Sequence, residues 1–238
     1  MLGNEHQKQH ISGQFNSELE TLKNDILAMG GLVESQLTLA VAALLEKNSA
    51  KALLVIENDQ SVNALERRID QECARILARR QPAAGDLRLV LAVLKINLNL
   101  ERVGDEAAKI AKQAKVIVES NDSGSQFVQL RQLARPVMRT LRQSLDALAR
   151  SDVMLALQIV REDVSLDTLY GEAMRALIKH MQANPVAIGT VLNELWALKA
   201  LERIGDHASN VGEQVIYMVK GQDVRHLTAG EMPVWHSE

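Results

Sequence analysis

The sequence predicts an all-α protein made of two tandem, pseudo-symmetric three-helix bundles, six long antiparallel helices in all. Three observations carry this expectation. The apolar residues, 47% of the chain, are mostly Leu, Ala, Val, Ile and Met, while aromatic residues are only 3%. Sheet proteins draw more heavily on aromatic and β-branched side chains. Long stretches of helical periodicity are separated by only five breaks. The second half of the chain repeats the first.

The elements follow in order. Residues 1–16 are polar and are expected as a flexible N-terminal segment ahead of a first helix over about 17–47. Lys47-Asn48-Ser49 ends that helix and offers a cap to a second, over about 49–80. Gln81-Pro82 then breaks the chain, because a residue before proline avoids the helical region, and a third helix runs over about 86–119. Asn121-Asp122-Ser123-Gly124-Ser125 reads as a linker, 121–125, between the halves. The fourth helix spans about 126–150. Arg150-Ser151-Asp152 introduces the fifth, about 152–182, and Asn184-Pro185 the sixth, about 186–220. The repeats are thus 17–120 and 126–221, with 222–238 expected as a flexible tail.

The repeat is visible residue by residue. A displacement of 104 places Leu44 on Leu148, Leu53 on Leu157, Val55 on Ile159, Val62 on Leu166, Asp59 on Asp163 and Asn63 on Asp167. In the last helix of each half the displacement becomes 101, placing Leu91 on Leu192, Leu94 on Leu195, Glu101 on Glu202 and Asp105 on Asp206.

Net charge is −3 with both signs interspersed along the sequence. No long basic run is present to attract nucleic acid or an anionic membrane over a large area. The single Cys73 excludes an internal disulfide and fits a reducing compartment. The polar, acidic N-terminus does not read as a signal peptide, and no apolar run approaches the roughly 20 residues that span a bilayer. The expectation is a cytoplasmic protein.

Two motifs stand out. Glu101-Arg102-Val103-Gly104-Asp105 and Glu202-Arg203-Ile204-Gly205-Asp206 put two carboxylates at i,i+4 with a glycine between them. On a solvated helix such a pair is ordinary. Here, Leu87, Leu91, Leu94 and Leu98 keep a four-three spacing whose continuation is Glu101 and Asp105, which puts the acids on the apolar seam. Like charges at i,i+4 cost a few tenths of a kcal/mol, and a glycine inside a helix about 1 kcal/mol. Costs incurred twice suggest a compensating cation, with glycine allowing another backbone or an ion-bound water to approach. Asp59, Asn63, Glu66 and Asp70 in the second helix, and Asp163 and Asp167 in the fifth, supply facing oxygens. Oxygen ligands suit Mg, Mn, Ca or Fe.

Other chemistries are thin. A di-iron oxidase would use Glu-x-x-His, which the chain lacks, so a metal-dependent helical-bundle enzyme is the alternative reading. A docking groove for basic partner segments is a third. No catalytic residues are assigned. His207 reads as a surface histidine, Cys73 as a core thiol, Trp196 and Tyr217 as core or interface anchors, and the methionines as core fillers.

The twin ERVGD and ERIGD motifs and the three-helix repeat resemble the PhoU family. HISGQFNSEL from His10, ARRQPAAGDLRLV from Ala78 and VKGQDVRH from Val219 also look like proteobacterial members, so the resemblance runs from about His10 to His226. It implies a non-enzymatic negative regulator of the phosphate-starvation response, a homodimer in the cytoplasm. Its implied partners are the nucleotide-binding subunit of the phosphate ABC transporter and the cytoplasmic region of a sensor histidine kinase. It would touch the membrane only through them and would bind no nucleic acid. The resemblance also implies iron or zinc clusters held by Glu/Asp-x-x-x-Asp motifs; with the oxygen chemistry above, the expected ions are Fe, Zn, Mn or Mg. The matching ligands are Glu101, Asp105, Glu202, Asp206, Asp59, Asp163 and Asp167. Asn63 against Asp167, Glu66 against Tyr170 and Lys109 against Asn210 depart from symmetry, so the two sites are expected to be unequal.

Overall fold

A computed structural model describes residues 3–119, 127–225, Leu227 and Trp235, with backbone alone for 3–12. Among these residues the elements are α1 (Gly3–Leu45), α2 (Ser49–Arg80), α3 (Ala84–Glu119), α4 (Val128–Arg150), α5 (Val153–Ala183) and α6 (Ile188–Lys220). A single 3-10 turn, Pro185–Ala187, separates α5 from α6 at the expected proline break. The helix α1 begins at Gly3, ahead of the expected start near residue 17; no Pro interrupts the stretch, and the single internal glycine, Gly13, does not end it. The expected linker 121–125 lies outside the described residues. Of the expected tail, Val224 is only 1% exposed and packs into the core.

The turns show the repeat most clearly. Lys47 and Ser151 adopt the left-handed conformation, with φ 52° and 54°. The next amides, of Asn48 and Asp152, donate back to the carbonyls of Ala43 (2.8 Å) and Ala147 (2.9 Å). This closes one helix in a Schellman arrangement. The same two residues open the next helix: Asn48 accepts from the Lys51 amide at 3.1 Å and Asp152 from the Leu155 amide at 3.0 Å. Asn48→Ala and Asp152→Ala should each cost about 1 kcal/mol, read as a shift in the urea midpoint at constant slope.

Helices α1, α2 and α3 form one bundle and α4, α5 and α6 the other. The bundles meet along α3 against α6, with a smaller contact of α1 on α4. Gly30 permits the latter, since a Cβ there would lie 2.5 Å from Leu145 Cδ2. Leu22, Ile26, Met29, Val33, Leu37, Ala40 and Leu44 of α1 are all buried. Between Gly13 and Leu45 this helix is long and apolar enough to cross a bilayer, which corrects the sequence expectation, but half of its apolar window is buried inside the bundle. Pro136 lies within α4 without ending it. It removes one amide donor, and the carbonyl left over belongs to exposed Gln132.

The register of the third helices differs from the heptad count by one residue. Leu98, placed on the seam by that count, is 52% exposed. The buried line in α3 is Val90, Val93, Asn97, Leu100, Gly104, Ala107, Ala111 and Ala114. Displaced by 101 it becomes Val191, Glu194, Leu198, Leu201, Gly205, Ala208, Gly212 and Val215, all buried in α6. Gly104 and Gly205, not the acids, therefore occupy the seam. A Cβ on Gly104 would lie 3.2 Å from Val62 Cγ1, and one on Gly205 3.2 Å from Leu166 Cδ1. Each glycine lets the preceding helix of its own bundle come close, the first of the two uses that the sequence suggested for it. The carboxylates flank the seam, half-buried.

Candidate functional site

That offset places each acidic pair in a groove between the second and third helices of its bundle. In the first groove α2 contributes Asp59, Asn63 and Glu66, and α3 contributes Glu101 and Asp105, all half-buried. Burial raises the pKa of Asp59 above the usual carboxylate range, and Asp105 raises it further; Lys112 and a hydrogen bond from Asn63 oppose. Glu101 is raised by burial first and by Asp105, with Glu66 and Asp59 adding and Arg102 opposing. Asp59 Oδ1 is buried with no hydrogen-bond partner in the protein. Asp70 stands apart from this set. It is exposed and accepts from Asn97 Nδ2 at 2.9 Å, a nitrogen that also reaches the Glu66 carbonyl at 3.0 Å.

The second groove is tighter. One carboxylate oxygen from each of Asp167 (α5), Glu202 and Asp206 (α6) lies within 4.8 Å of the others. Asp206 is pushed up to about 6 by burial, then by Glu202, Asp163 and Asp167, against the pull of Lys199. Asp163 is raised by burial; the Ser209 hydroxyl, donating to its Oδ1 at 2.7 Å, holds it back, while Asp167 and Glu202 push it further. Lys199 Nζ sits 2.7 Å from Glu202 and 5.3 Å from the Tyr170 ring centre.

Four residues that the sequence reading missed shape these grooves: Lys112, Lys199, Ser209 and Glu213. Lys199 was legible as an i,i+3 partner of Glu202. Lys112 and Glu213 occupy equivalent positions, displaced by 101. The lysine partly neutralises Asp59. Glu213 lies near Asp163 and is itself pushed up to about 7, by burial first, with Asp223 and Asp163 adding and Arg225 opposing. The second groove therefore holds more negative charge against its own cation, Lys199. Lys109, expected to unbalance the grooves, instead turns toward the bundle interface and pairs with Glu106 at 2.8 Å.

That interface carries a polar network. Glu106, 4% exposed, also receives Arg203 Nη1 across the α3–α6 contact at 3.0 Å. Asn99 Oδ1 accepts from His207 Nδ1 at 3.0 Å and from Asn210 Nδ2 at 3.1 Å. His207 is thus a half-buried interface residue rather than a surface one, and burial holds its pKa below the usual histidine range. Trp196, expected in the core or an interface, is 65% exposed. Cys73 is fully buried, its thiol pushed up to about 12.

The grooves imply a pH response opposite in sign to that of salt-bridged carboxylates. Asp206 has a folded pKa of about 6 against an ordinary 3.8, so the native state binds the extra proton between those values. Its contribution to stability is therefore least unfavourable below about pH 4 and worsens as pH rises to about 6, flattening above. Cation affinity should run the other way, weakening as pH falls through about 6 because protons compete for the same oxygens. Titration calorimetry at several pH values reads this directly.

An all-helical protein with a duplicated carboxylate groove is the class that this fold and site define. The PhoU domain family matches residues 26–114 and 130–215, and the chain belongs to that family. It is 49% identical over 227 residues to the phosphate-specific transport system accessory protein PhoU homolog of Pseudomonas putida, covering 95% of this chain and 89% of that one. It is 43% identical to the PhoU accessory protein of Escherichia coli, covering 94% and 92%. The crystal structure of PhoU from Pseudomonas aeruginosa superposes with TM-score 0.85 at 48% identity, covering 87% of this chain and all of that one. The phosphate transport system regulatory protein PhoU from Streptococcus pneumoniae gives 0.81 at 30%, covering 88% and 99%.

Proposed function

We propose that this protein is a cytoplasmic, non-enzymatic adaptor that damps the phosphate-starvation response. It couples the nucleotide-binding subunit of the phosphate ABC transporter to the cytoplasmic region of the sensor histidine kinase, acts as a homodimer, and limits phosphate uptake. Support comes from the accessory and regulatory proteins of phosphate transport to which it is similar along nearly its whole length. The observation that carries the site is the convergence of Asp167, Glu202 and Asp206.

The donor set fits a hard or borderline cation: several carboxylates raised by burial and then by mutual repulsion, and a buried oxygen of Asp59 with no protein partner. Asp163, Asp167, Glu202 and Asp206 would hold an ion in the second groove, and Asp59, Glu66, Glu101 and Asp105 one in the first. Fe, Zn, Mn or Mg would supply charge neutralisation, joining α5 to α6 and α2 to α3. A pull-down of the full chain from phosphate-replete and phosphate-starved cells, with and without chelator, tests the reading. Recovery of the transporter subunit or the kinase, weakened by chelator, is expected; recovery of neither in any condition contradicts it.

A further inference from the structure

The exposed face of α4 is rich in arginine. Arg131, Arg135, Arg139 and Arg142 are all exposed. At about 100° per residue the four lie within an arc of about 80°. At about 1.5 Å per residue they extend over about 16 Å of helix. None of them makes an ion pair among the described residues, and the helix has one carboxylate, Asp146, exposed on the same face one turn beyond Arg142. The opposite face, with Leu130, Leu133, Val137, Leu141 and Leu145, is buried, which fixes the arginines outward. The equivalent positions of α1, displaced by 104, are Leu27, Gly31, Ser35 and Thr38, none of them charged. The repeat fold therefore does not require this ridge; it belongs to the second bundle of a chain whose net charge is −3.

A guanidinium fork matches the oxygens of a phosphate, and a straight convex row of them matches a plane of phosphates. Peptide recognition would ask for a groove or a sheet edge, and single-stranded nucleic acid for aromatic platforms; α4 has no aromatic residue. A depression of about 520 Å³ lined by Val128, Arg131, Gln132 and Arg135 lies at the start of the row. We propose that this ridge is a membrane-apposition surface that takes the phosphate groups of anionic phospholipid. It acts independently of the cation grooves, and it would add a direct membrane contact to those expected through partners.

The test is flotation of the full chain with vesicles of phosphatidylcholine alone or mixed roughly 3:1 with phosphatidylglycerol. Binding to the mixed vesicles only, released by about 0.5 M salt, is expected. R135E/R139E should weaken it by about tenfold or more with an unchanged melting temperature. R131Q/R142Q should weaken it by a smaller factor, which provides a second variant should the first perturb folding. R67E/R79E makes the same net-charge change at exposed positions of α2 and should retain binding. No partition onto mixed vesicles, equal loss in R67E/R79E and R135E/R139E, or tighter binding to polyglutamate than to vesicles would overturn the proposal.

Discussion

Replacing Glu202 by Gln and Asp206 by Asn together is expected to stabilise the metal-free protein and to abolish its stabilisation by cations. Both effects follow from one arrangement. Burial and like charges hold Asp206 at a pKa of about 6, so its ionised form is disfavoured in the native state near neutral pH. Neutral isosteres remove that repulsion without removing volume. The loss of the Lys199–Glu202 pair offsets part of the gain, but Lys199 is half-exposed and the pair is worth little. With a bound cation the balance reverses. A free ion at about a hundred times Kd stabilises the native state by about 2.7 kcal/mol, a rise of about 5–10 °C for a chain of this size. Scanning calorimetry with and without Mn, Zn or Fe should show that rise in the wild type and none in the double variant. The matching Glu101→Gln/Asp105→Asn variant should show a smaller change, because Lys112 already offsets part of the charge in the first groove.

Leu100→Ala should cost about 3 kcal/mol, and Leu98→Ala less than about 0.5 kcal/mol. The two leucines are two residues apart, but Leu100 is fully buried on the same line as Gly104 whereas Leu98 is 52% exposed. At about 2–4 °C per kcal/mol the first variant should melt about 6–12 °C below the wild type. The comparison tests the register directly. If Leu98 were the seam position, the order of the two effects would reverse, and the acidic pairs would sit inside the core rather than beside it.

The one-residue offset shows where sequence reasoning stops. Two neighbouring lines along α3 are apolar over the same span: Leu87, Leu91, Leu94 and Leu98, and Val90, Val93, Asn97 and Leu100. The leucine line is the more hydrophobic, and Asn97 interrupts the other, so periodicity favours the wrong one. Asn97 is tolerated on the seam because its amide donates to Asp70 and to the Glu66 carbonyl. Local signals fared better. Lys47-Asn48, Ser151-Asp152 and Asn184-Pro185 each mark a helix boundary within a few residues, because caps and proline act over one turn. The carboxylates that share a groove were also legible, through the repeat. The residues that set the grooves apart were not. Lys112 acts on Asp59, and Asp163 on Glu213, only through the approach of two helices, which no spacing within one helix encodes. The arginine row of α4 was hidden differently: averaged over the chain, its charge vanishes into the small net value.

The central claim is that the second groove is a cation site built from Asp163, Asp167, Glu202 and Asp206. Equilibrium dialysis against Mn, Zn or Fe, followed by elemental analysis of the wild type and of Glu202→Gln/Asp206→Asn, tests it most directly. The account predicts retained metal in the wild type and loss of the second-groove ion in the variant. A wild type that retains no metal, or a variant that retains as much, would contradict it.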